Sequence, residues 1–500
     1  MIRYLLRNYS WIIIIFFGLL YFIFLSNNPT SDSYSNAFSS ITQEELFRPH
    51  HLLYSALGYL IYLPFQSTSI EPIRLFQAVN VIFAMACFVV IRIILLRLHI
   101  KESIIAASIF FLGSCFGFQR FAIDNECYII SLFFSLLSIN FIQSFLIKNK
   151  LYKAVLCALA CSIGCLFHQI VIFTWLCCFV VIIFNKKWKY VLYFSLISLI
   201  IPISYSLVVF FQQDSLSVNS LMSFVLNDYI NQNAEMPILK NVVLLSSISF
   251  VRTFFQVHGY IVNVFLLHPI IGTLIVLVTL VFTTLGIVSL FKLKKNKITL
   301  FHERRFLRFS WWLLIYNLAF AVFSNGNAEF MVIIPFLILI LSIYYFENIR
   351  WPLYGFGFAM YAWNIFFALT PIGLLNINSN EEIANLVQKE DAVFVLNDKV
   401  AIDNIVAYNQ KNQNIKNTFK ISEVSPQQFE NWVKENKTIY TDYFGSKESL
   451  SRANIAESRN NNISPNNPII KNKEHFAPKY KFTSLGQEKE IWSFISNFAR

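Results

Sequence analysis

Asp32, in Ser31-Asp32-Ser33-Tyr34, lies just beyond the first apolar run of the chain, and Arg48-Pro49-His50-His51-Leu52-Leu53-Tyr54 follows shortly after. A carboxylate in that position can act as a general base, taking a proton from an acceptor hydroxyl as it attacks. The ordinary reading is a solvated loop residue or helix cap. His50 and His51 beside Arg48 suit a phosphate at headgroup depth, where low dielectric strengthens charge-assisted hydrogen bonds. Interfacial anchoring by Tyr54, Tyr59 and Tyr62 would account for the same segment without chemistry. The stretch Gln119-Arg120-Phe121-Ala122-Ile123-Asp124-Asn125-Glu126-Cys127-Tyr128 places an arginine and two acids between apolar runs. Arg120 suits an anionic group, and Asp124 or Glu126 suits a substrate hydroxyl or a divalent cation; a polar helix cap is the alternative. His168, in Leu166-Phe167-His168-Gln169, and Glu329, in Asn325-Gly326-Asn327-Ala328-Glu329, close two further polar turns. His168 reads as a helix-end hydrogen-bonding group or a substrate ligand. Glu329 reads as a helix N-terminal acid or a sugar-hydroxyl ligand. Arg252 and His258 complete the set, with snorkelling to the interface as their plain explanation.

The elements that must position these residues are membrane helices. Of the 500 residues, 56% are hydrophobic and 14% charged, with a mean hydropathy of +0.55; soluble domains carry roughly 25% charged residues. The hydropathy predicts about eleven spans near 10–26, 75–97, 103–119, 127–147, 153–168, 170–185, 190–211, 269–291, 309–325, 328–346 and 351–371. Arg3 and Arg7 precede an apolar run without a small-x-small cleavage site, so the first span reads as uncleaved. The net charge of +12 is not a nucleic-acid signature, because the basic residues sit in short loops between spans. Arg92, Arg97 and Lys101 form one cluster, Lys148, Lys150 and Lys153 a second, and Lys186, Lys187 and Lys189 a third. Lys292 through Arg308 forms the fourth. The positive-inside rule puts all four in the cytoplasm and Asp32, Asp124, Glu126, His168 and Glu329 outside. This parity requires that His50–Phe65 lie in the outer interface rather than cross. Residues 212–268, with Asp214, Asp228 and Glu235, then form a long outer segment whose second half is re-entrant or interfacial.

All eight cysteines fall in the hydrophobic part, and Cys157, Cys161 and Cys165 make a helical stripe read as small packing residues, not metal ligands. After Pro371 the composition turns to Asn, Lys, Glu and Gln. Strands are expected at Ala392–Leu396, Thr438–Tyr440 and Ile491–Ile495, with helices at Val400–Asn409 and Gln427–Lys434. The chain is therefore mainly α: a polytopic membrane bundle over 1–371 and a small extracytoplasmic α/β domain over 372–500. The sequons at Asn436 and Asn462 carry little information in so Asn-rich a tail.

Taken in order, these segments resemble the GT-C superfamily of integral-membrane glycosyltransferases, in pattern nearest to bacterial protein O-mannosyltransferase-like members. Asp32 matches the acid after the first span, and His50-His51-Leu52-Leu53-Tyr54 the His-Pro-Pro-Gly-x-Pro-Leu-Tyr segment without its proline-glycine core. Glu126-Cys127-Tyr128 looks like the Glu-Val-Tyr segment, Gly164-Cys165-Leu166-Phe167-His168 like the Gly-Leu-x-x-x-x-His pair of short helices, and Gly326-Asn327-Ala328-Glu329 like a late Gly-Asn-x-Glu turn. The resemblance implies a polyprenyl-phosphate-linked sugar donor, an outer-face site, inverting transfer and Asp32 as catalytic base. The expected enzyme is a hexosyl- or pentosyltransferase of the bacterial inner membrane, with a glycan, lipid or protein acceptor. Arg48, His50, His51 and Arg120 would bind donor phosphate, and Asp124, Glu126, His168, His258 and Glu329 would bind substrate. No metal ligand is assigned; Asp124 and Glu126 are the acids a divalent cation would take. No nucleotide site is needed, in keeping with the missing Gly-rich phosphate loop. A flippase or transporter of a lipid-linked substrate is the alternative, disfavoured by only 14 glycines and the absence of an inverted repeat. A non-catalytic scaffold with a partner-binding tail is a third.

Overall fold

A computed structural model describes residues 8–213, 216–230, 242–257, 259–295, 301–445, 466–485 and 487–495. His258, Asp214, Glu235, Asn462, Arg3 and Arg7, and the side chain of Asp228, fall outside the described residues. Seven described helices are long and apolar enough to cross a membrane, or eight counting one bent pair. The first span is the short helix α1 (Ser10–Ile23). Thr30 then caps α2 (Ser31–Thr42), its side chain accepting from the Ser33 amide, a cap that starts the helix just ahead of Asp32. Helix α3 (Tyr54–Tyr62) has nine residues and a short 3-10 extension, too short to span, as the loop parity demands.

The 26-residue α4 (Pro72–Arg97) is opened by proline at its first position. The next expected span is a broken one, α5 (Glu102–Ser114) and α6 (Phe116–Ala122), bent by 70° at Cys115. That bend lays Arg120 through Glu126 across the end of the bundle. Then come α7 (Tyr128–Lys148), α8 (Leu151–Phe167), α9 (Ile172–Ile183), α10 (Trp188–Ser198) and α11 (Ile200–Gln213). Among the described residues of 212–268, α12 (Val242–Phe254) and α13 (Ile261–Leu267) are both shorter than a span. Helices α14 (Pro269–Leu290), α15 (Phe301–Phe323), α16 (Ile334–Tyr345) and α17 (Arg350–Asn364) complete the bundle. A two-residue pairing of β1 (Lys294–Lys295) with β2 (Phe346–Glu347) joins two loops at the basic end.

Burial separates central from peripheral helices. The best apolar window of α7 is 72% buried within the protein and that of α14 only 17%, so α14 leaves most of its surface to lipid. The centre is built from aromatic rings: Phe88 stacks on Phe118 at 4.7 Å, and Phe17 contacts Tyr21, Phe88 and Phe110. Without a hydrophobic drive between helices in lipid, such ring packing and hydrogen bonds hold the bundle. The Tyr21 hydroxyl accordingly donates to Gly113 O at 2.7 Å.

The C-terminal unit has a five-stranded sheet in the order β4-β3-β5-β7-β6. Its strands are β3 (Val393–Leu396), β4 (Thr418–Lys420), β5 (Ile439–Thr441), β6 (Phe476–Ser484) and β7 (Gln487–Phe494). Strand β3 runs parallel to both neighbours, while β7 is antiparallel to β5 and β6. Helices α18 (Asn380–Lys389) and α19 (Lys399–Gln410) cover one face and α20 (Pro426–Lys434) the other. The first core is shared with the bundle, because Tyr34, Ala37, Ile73 and Phe76 pack into it with Ile383, Phe394 and Ile405. The tail is thus seated on α2.

Candidate active site

Two polar segments are stitched together beside the start of α2. Ser26 N donates to Ile123 O at 3.0 Å, and Asn125 Nδ2 donates to Ser33 O at 2.7 Å. Asp124, fully buried, accepts from Ser33 Oγ (2.9 Å), Thr30 N (3.3 Å) and its neighbour's amide (2.9 Å), and pairs with Arg120 Nη2 at 2.8 Å. Both carboxylate oxygens are therefore engaged internally. Where the sequence suggested an open hydroxyl or cation ligand, Asp124 is a tie between loops. Asn80, deep in α4, donates its amide to Asp124 O (2.6 Å) and Glu126 O (2.7 Å), and the Tyr54 hydroxyl donates to Asn125 Oδ1 at 2.7 Å.

This scaffold leaves three acids in different environments. Asp32 is exposed in the first turn of α2. Glu126 is buried and accepts from the Thr30 hydroxyl. Burial first, then the charges of Asp32, Asp124 and Glu329, push the Glu126 carboxyl well above the usual carboxylate range. Glu329 is half-buried and accepts from the Tyr128 hydroxyl (2.7 Å) and Asn327 Nδ2 (3.0 Å). The turn before it depends on Gly326 at φ +71°, where an added Cβ would lie 2.4 Å from Ser246 Cα of α12.

The histidines cluster on the other flank. His51 Nδ1 lies 3.2 Å from Cys127 Sγ, and the His51 and His168 rings are 5.0 Å apart. His168 also packs against Tyr128 at 5.0 Å and Phe330 at 6.0 Å. Burial and the neighbouring histidines hold His168 well below the ordinary histidine value, so it is neutral. His50 Nδ1 meets Gln169 Oε1 at 3.0 Å, and Gln169 Nε2 donates to Pro49 O at 3.0 Å. The ligand atoms of His51, Cys127 and His168 fall within 4.8 Å of one another, a nitrogen-thiol set suited to zinc rather than magnesium or calcium. His168 Nδ1, however, accepts the Ile170 amide at 3.0 Å. In the neutral ring the proton is then on Nε2, and neither nitrogen offers a lone pair while that bond stands. The arrangement fits a hydrogen-bonded His51–Cys127 pair better than a metal centre.

The expected phosphate-binding quartet is divided. Arg48 points into α2: its Nη2 donates to Ser39 Oγ (2.9 Å) and Ser35 O (3.4 Å) and pairs with Glu45 at 3.3 Å. Asp32 acts on Arg48 electrostatically, and Arg48 Nε is buried without a hydrogen-bond partner. Arg120 is held by Asp124, while His50 and His51 face the α8–α9 junction. Arg252 lies over the Phe116 ring at 5.6 Å, on an α12 that packs against α6 at this same end. Sequence reasoning assigned no role to Thr30, Ser33, Asn80 or Gln169. Asn80 carried a usable signal, since an amide within an otherwise apolar span is costly unless it has a partner.

No family model matches the chain, and no curated protein does. Among solved structures, the chain is similar to the oligosaccharyltransferase AglB from Archaeoglobus fulgidus in complex with an inhibitory peptide and a dolichol-phosphate. The identity is 10%, covering 97% of this chain and 74% of that one, with a TM-score of 0.46. It is also similar to ArnT from Cupriavidus metallidurans in the apo state, at 10% identity, 98% coverage of both chains and a TM-score of 0.40. ArnT bound to undecaprenyl phosphate matches at 9% identity, 99% coverage of both chains and a TM-score of 0.41.

Proposed function

We propose that the protein is a membrane glycosyltransferase that moves one sugar from a polyprenyl-phosphate donor to an acceptor hydroxyl at the outer face. The observation that carries this reading is the placement of an exposed Asp32 in the first turn of α2, within electrostatic reach of the buried Glu126, at one end of an apolar bundle. Asp32 takes the acceptor proton as the acceptor oxygen attacks the anomeric carbon. The bond from that carbon to the phosphate oxygen breaks on the opposite side, its electron pair leaving with the lipid phosphate, so configuration inverts. Arg48, within electrostatic reach of Asp32, would meet the leaving phosphate on turning out of its contacts with Ser39 and Glu45. Arg120, His50 and His51 are held by Asp124, Gln169 and Cys127, and Glu126, His168 and Glu329 are assigned to the sugar. The polyprenyl chain lies along the lipid-facing helices, and the positive-inside pattern supports a site and C-terminal unit on the outer side of the inner membrane.

The test is sugar transfer in vesicles reconstituted with labelled polyprenyl-phosphate sugar. Asp32→Asn, at normal expression, should lose on the order of 10²- to 10⁴-fold in donor turnover, the usual worth of a general base. Full activity in that variant sinks the assignment.

A further inference from the structure

The end of the bundle opposite the acidic site holds a cavity of about 640 Å³ that the transfer reaction does not use. Lys101, Lys292 and Arg350 line it together with Ser103, Ser289 and Asn348, and no described Asp or Glu does. Two helices begin at its wall. Lys101 is the N-cap of α5, with Ser103 in the first turn, and Arg350 opens α17. The dipoles of these two helix starts add to the positive potential of the three cations, offset in part by the C-terminal end of α14 at Ser289. Glu102, the acid in the first turn of α5, is turned out of the cavity: it accepts from Ser10 N at 3.0 Å and pairs with Arg92 at 3.5 Å. Glu347 lies outside as well, across the β1–β2 pairing from Lys294. The walls are held close by a glycine crossing, since a Cβ on Gly355 of α17 would lie 2.6 Å from Gly286 Cα of α14.

Basic loops at a cytoplasmic face are ordinarily topology signals. Here three cations, two helix starts and three hydroxyl or amide groups converge on one concavity with the nearby acid withdrawn. We propose that this cavity binds a phosphate group, that of an anionic lipid headgroup in the leaflet at this end. The lipid source is favoured because the helix surface leading away is apolar and exposed at Leu285, Val288 and Phe291 of the α14 end. Acyl chains would lie there. This inference does not depend on the transfer reaction.

The experiment is native mass spectrometry of the full chain released from vesicles of phosphatidylglycerol and phosphatidylcholine in equal parts. Wild type should retain one phosphatidylglycerol in preference to phosphatidylcholine. The triple variant K101Q/K292Q/R350Q should bind it on the order of 100-fold more weakly, roughly fivefold per cation. The control K148Q/K150Q/K187Q, which removes as many charges elsewhere on the same face, should retain it. If the triple variant does not fold, Ser103→Glu serves instead, with a loss of about tenfold expected from a carboxylate at the wall. Millimolar inorganic phosphate should leave the lipid in place; displacement by it would support the phosphate site but assign it to a soluble anion. Wild-type retention in the triple variant or in Ser103→Glu, or equal loss in the control, overturns the proposal.

Discussion

Glu126 is buried and Asp32 exposed at the start of α2, and their environments differ enough that substitution should treat them in opposite ways. Glutamine in place of Glu126 keeps the oxygen that accepts from Thr30 and resembles the protonated acid. Glu126→Gln should therefore retain transfer within about threefold of wild type, against the large loss expected for Asp32→Asn. A collapse of activity in Glu126→Gln would mean that its ionised form is required. The sign of the pH effect follows from the raised carboxyl. The folded protein binds the Glu126 proton more tightly than the unfolded chain, whose carboxyl releases it above the ordinary value of 4.5. The unfolded state binds fewer protons in that window, so this group's contribution to stability falls as pH rises from 4.5 through the raised folded value. The cause is burial plus the charges of Asp32, Asp124 and Glu329. Thermal unfolding in detergent at several pH values should show that decline in wild type and a flatter profile in Glu126→Gln. Identical profiles would refute the protonated assignment.

At the scale of elements, the site depends on α4 gripping the 120–127 segment from below. Asn80 is the grip, with one side-chain amide serving two buried carbonyls. Asn80→Leu keeps the volume close but leaves those carbonyls without their donor, a loss of about 1–3 kcal/mol. The measurable result is a Tm lower by a few degrees together with reduced transfer, because Asp124 and Glu126 lose their anchor. An unchanged Tm would show that the two carbonyls find other partners. The eleven expected spans all fall on helical segments, one on the α10–α11 pair and one on the bent α5–α6 pair. Those at α1, α8 and α9 are shorter than a full span, so seven described helices, or eight with the bent pair, are long and apolar enough to cross. The bend itself was not legible: Cys115 is neither proline nor glycine, and packing sets the break. In the tail, β3, β5, β7, α19 and α20 agree with the expected elements to within a few residues. Strands β4 and β6 and helix α18 lacked a clear pattern in a segment so rich in polar residues.

For the whole molecule, the docking of the C-terminal unit on α2 couples the tail to the residue proposed as base. Tyr34, two positions after Asp32, is buried, donates to Glu381 and packs on Tyr408 at 5.6 Å. Asn404 Nδ2 donates to Ser31 Oγ at 2.9 Å. Tyr34→Ala removes a buried aromatic side chain worth about 1.5–3 kcal/mol, so the open, undocked population should rise on the order of tenfold or more. Limited proteolysis should then cut near residues 375–379 correspondingly faster, and transfer should weaken because α2 loses its support. Wild-type cleavage rates would show that the shared core does not hold the unit in place.

What the sequence determined by itself was the class of molecule, the polarity of its loops and the short list of acids, histidines and arginines in the loops at one end. Each of these is a local property, because hydropathy and loop charge act over a span or less. What tertiary structure decided was which of those residues are tied to one another and which are buried. Asp124 looked as promising as Asp32, yet Thr30 and Ser33, more than ninety positions earlier, occupy its oxygens. Arg48 adjoins the histidines in sequence but turns onto α2, while His51 meets Cys127 and His168 from distant helices. A carboxylate's accessibility and proton affinity are set by desolvation and by charges a few ångströms away. Those neighbours are fixed only when the helices pack.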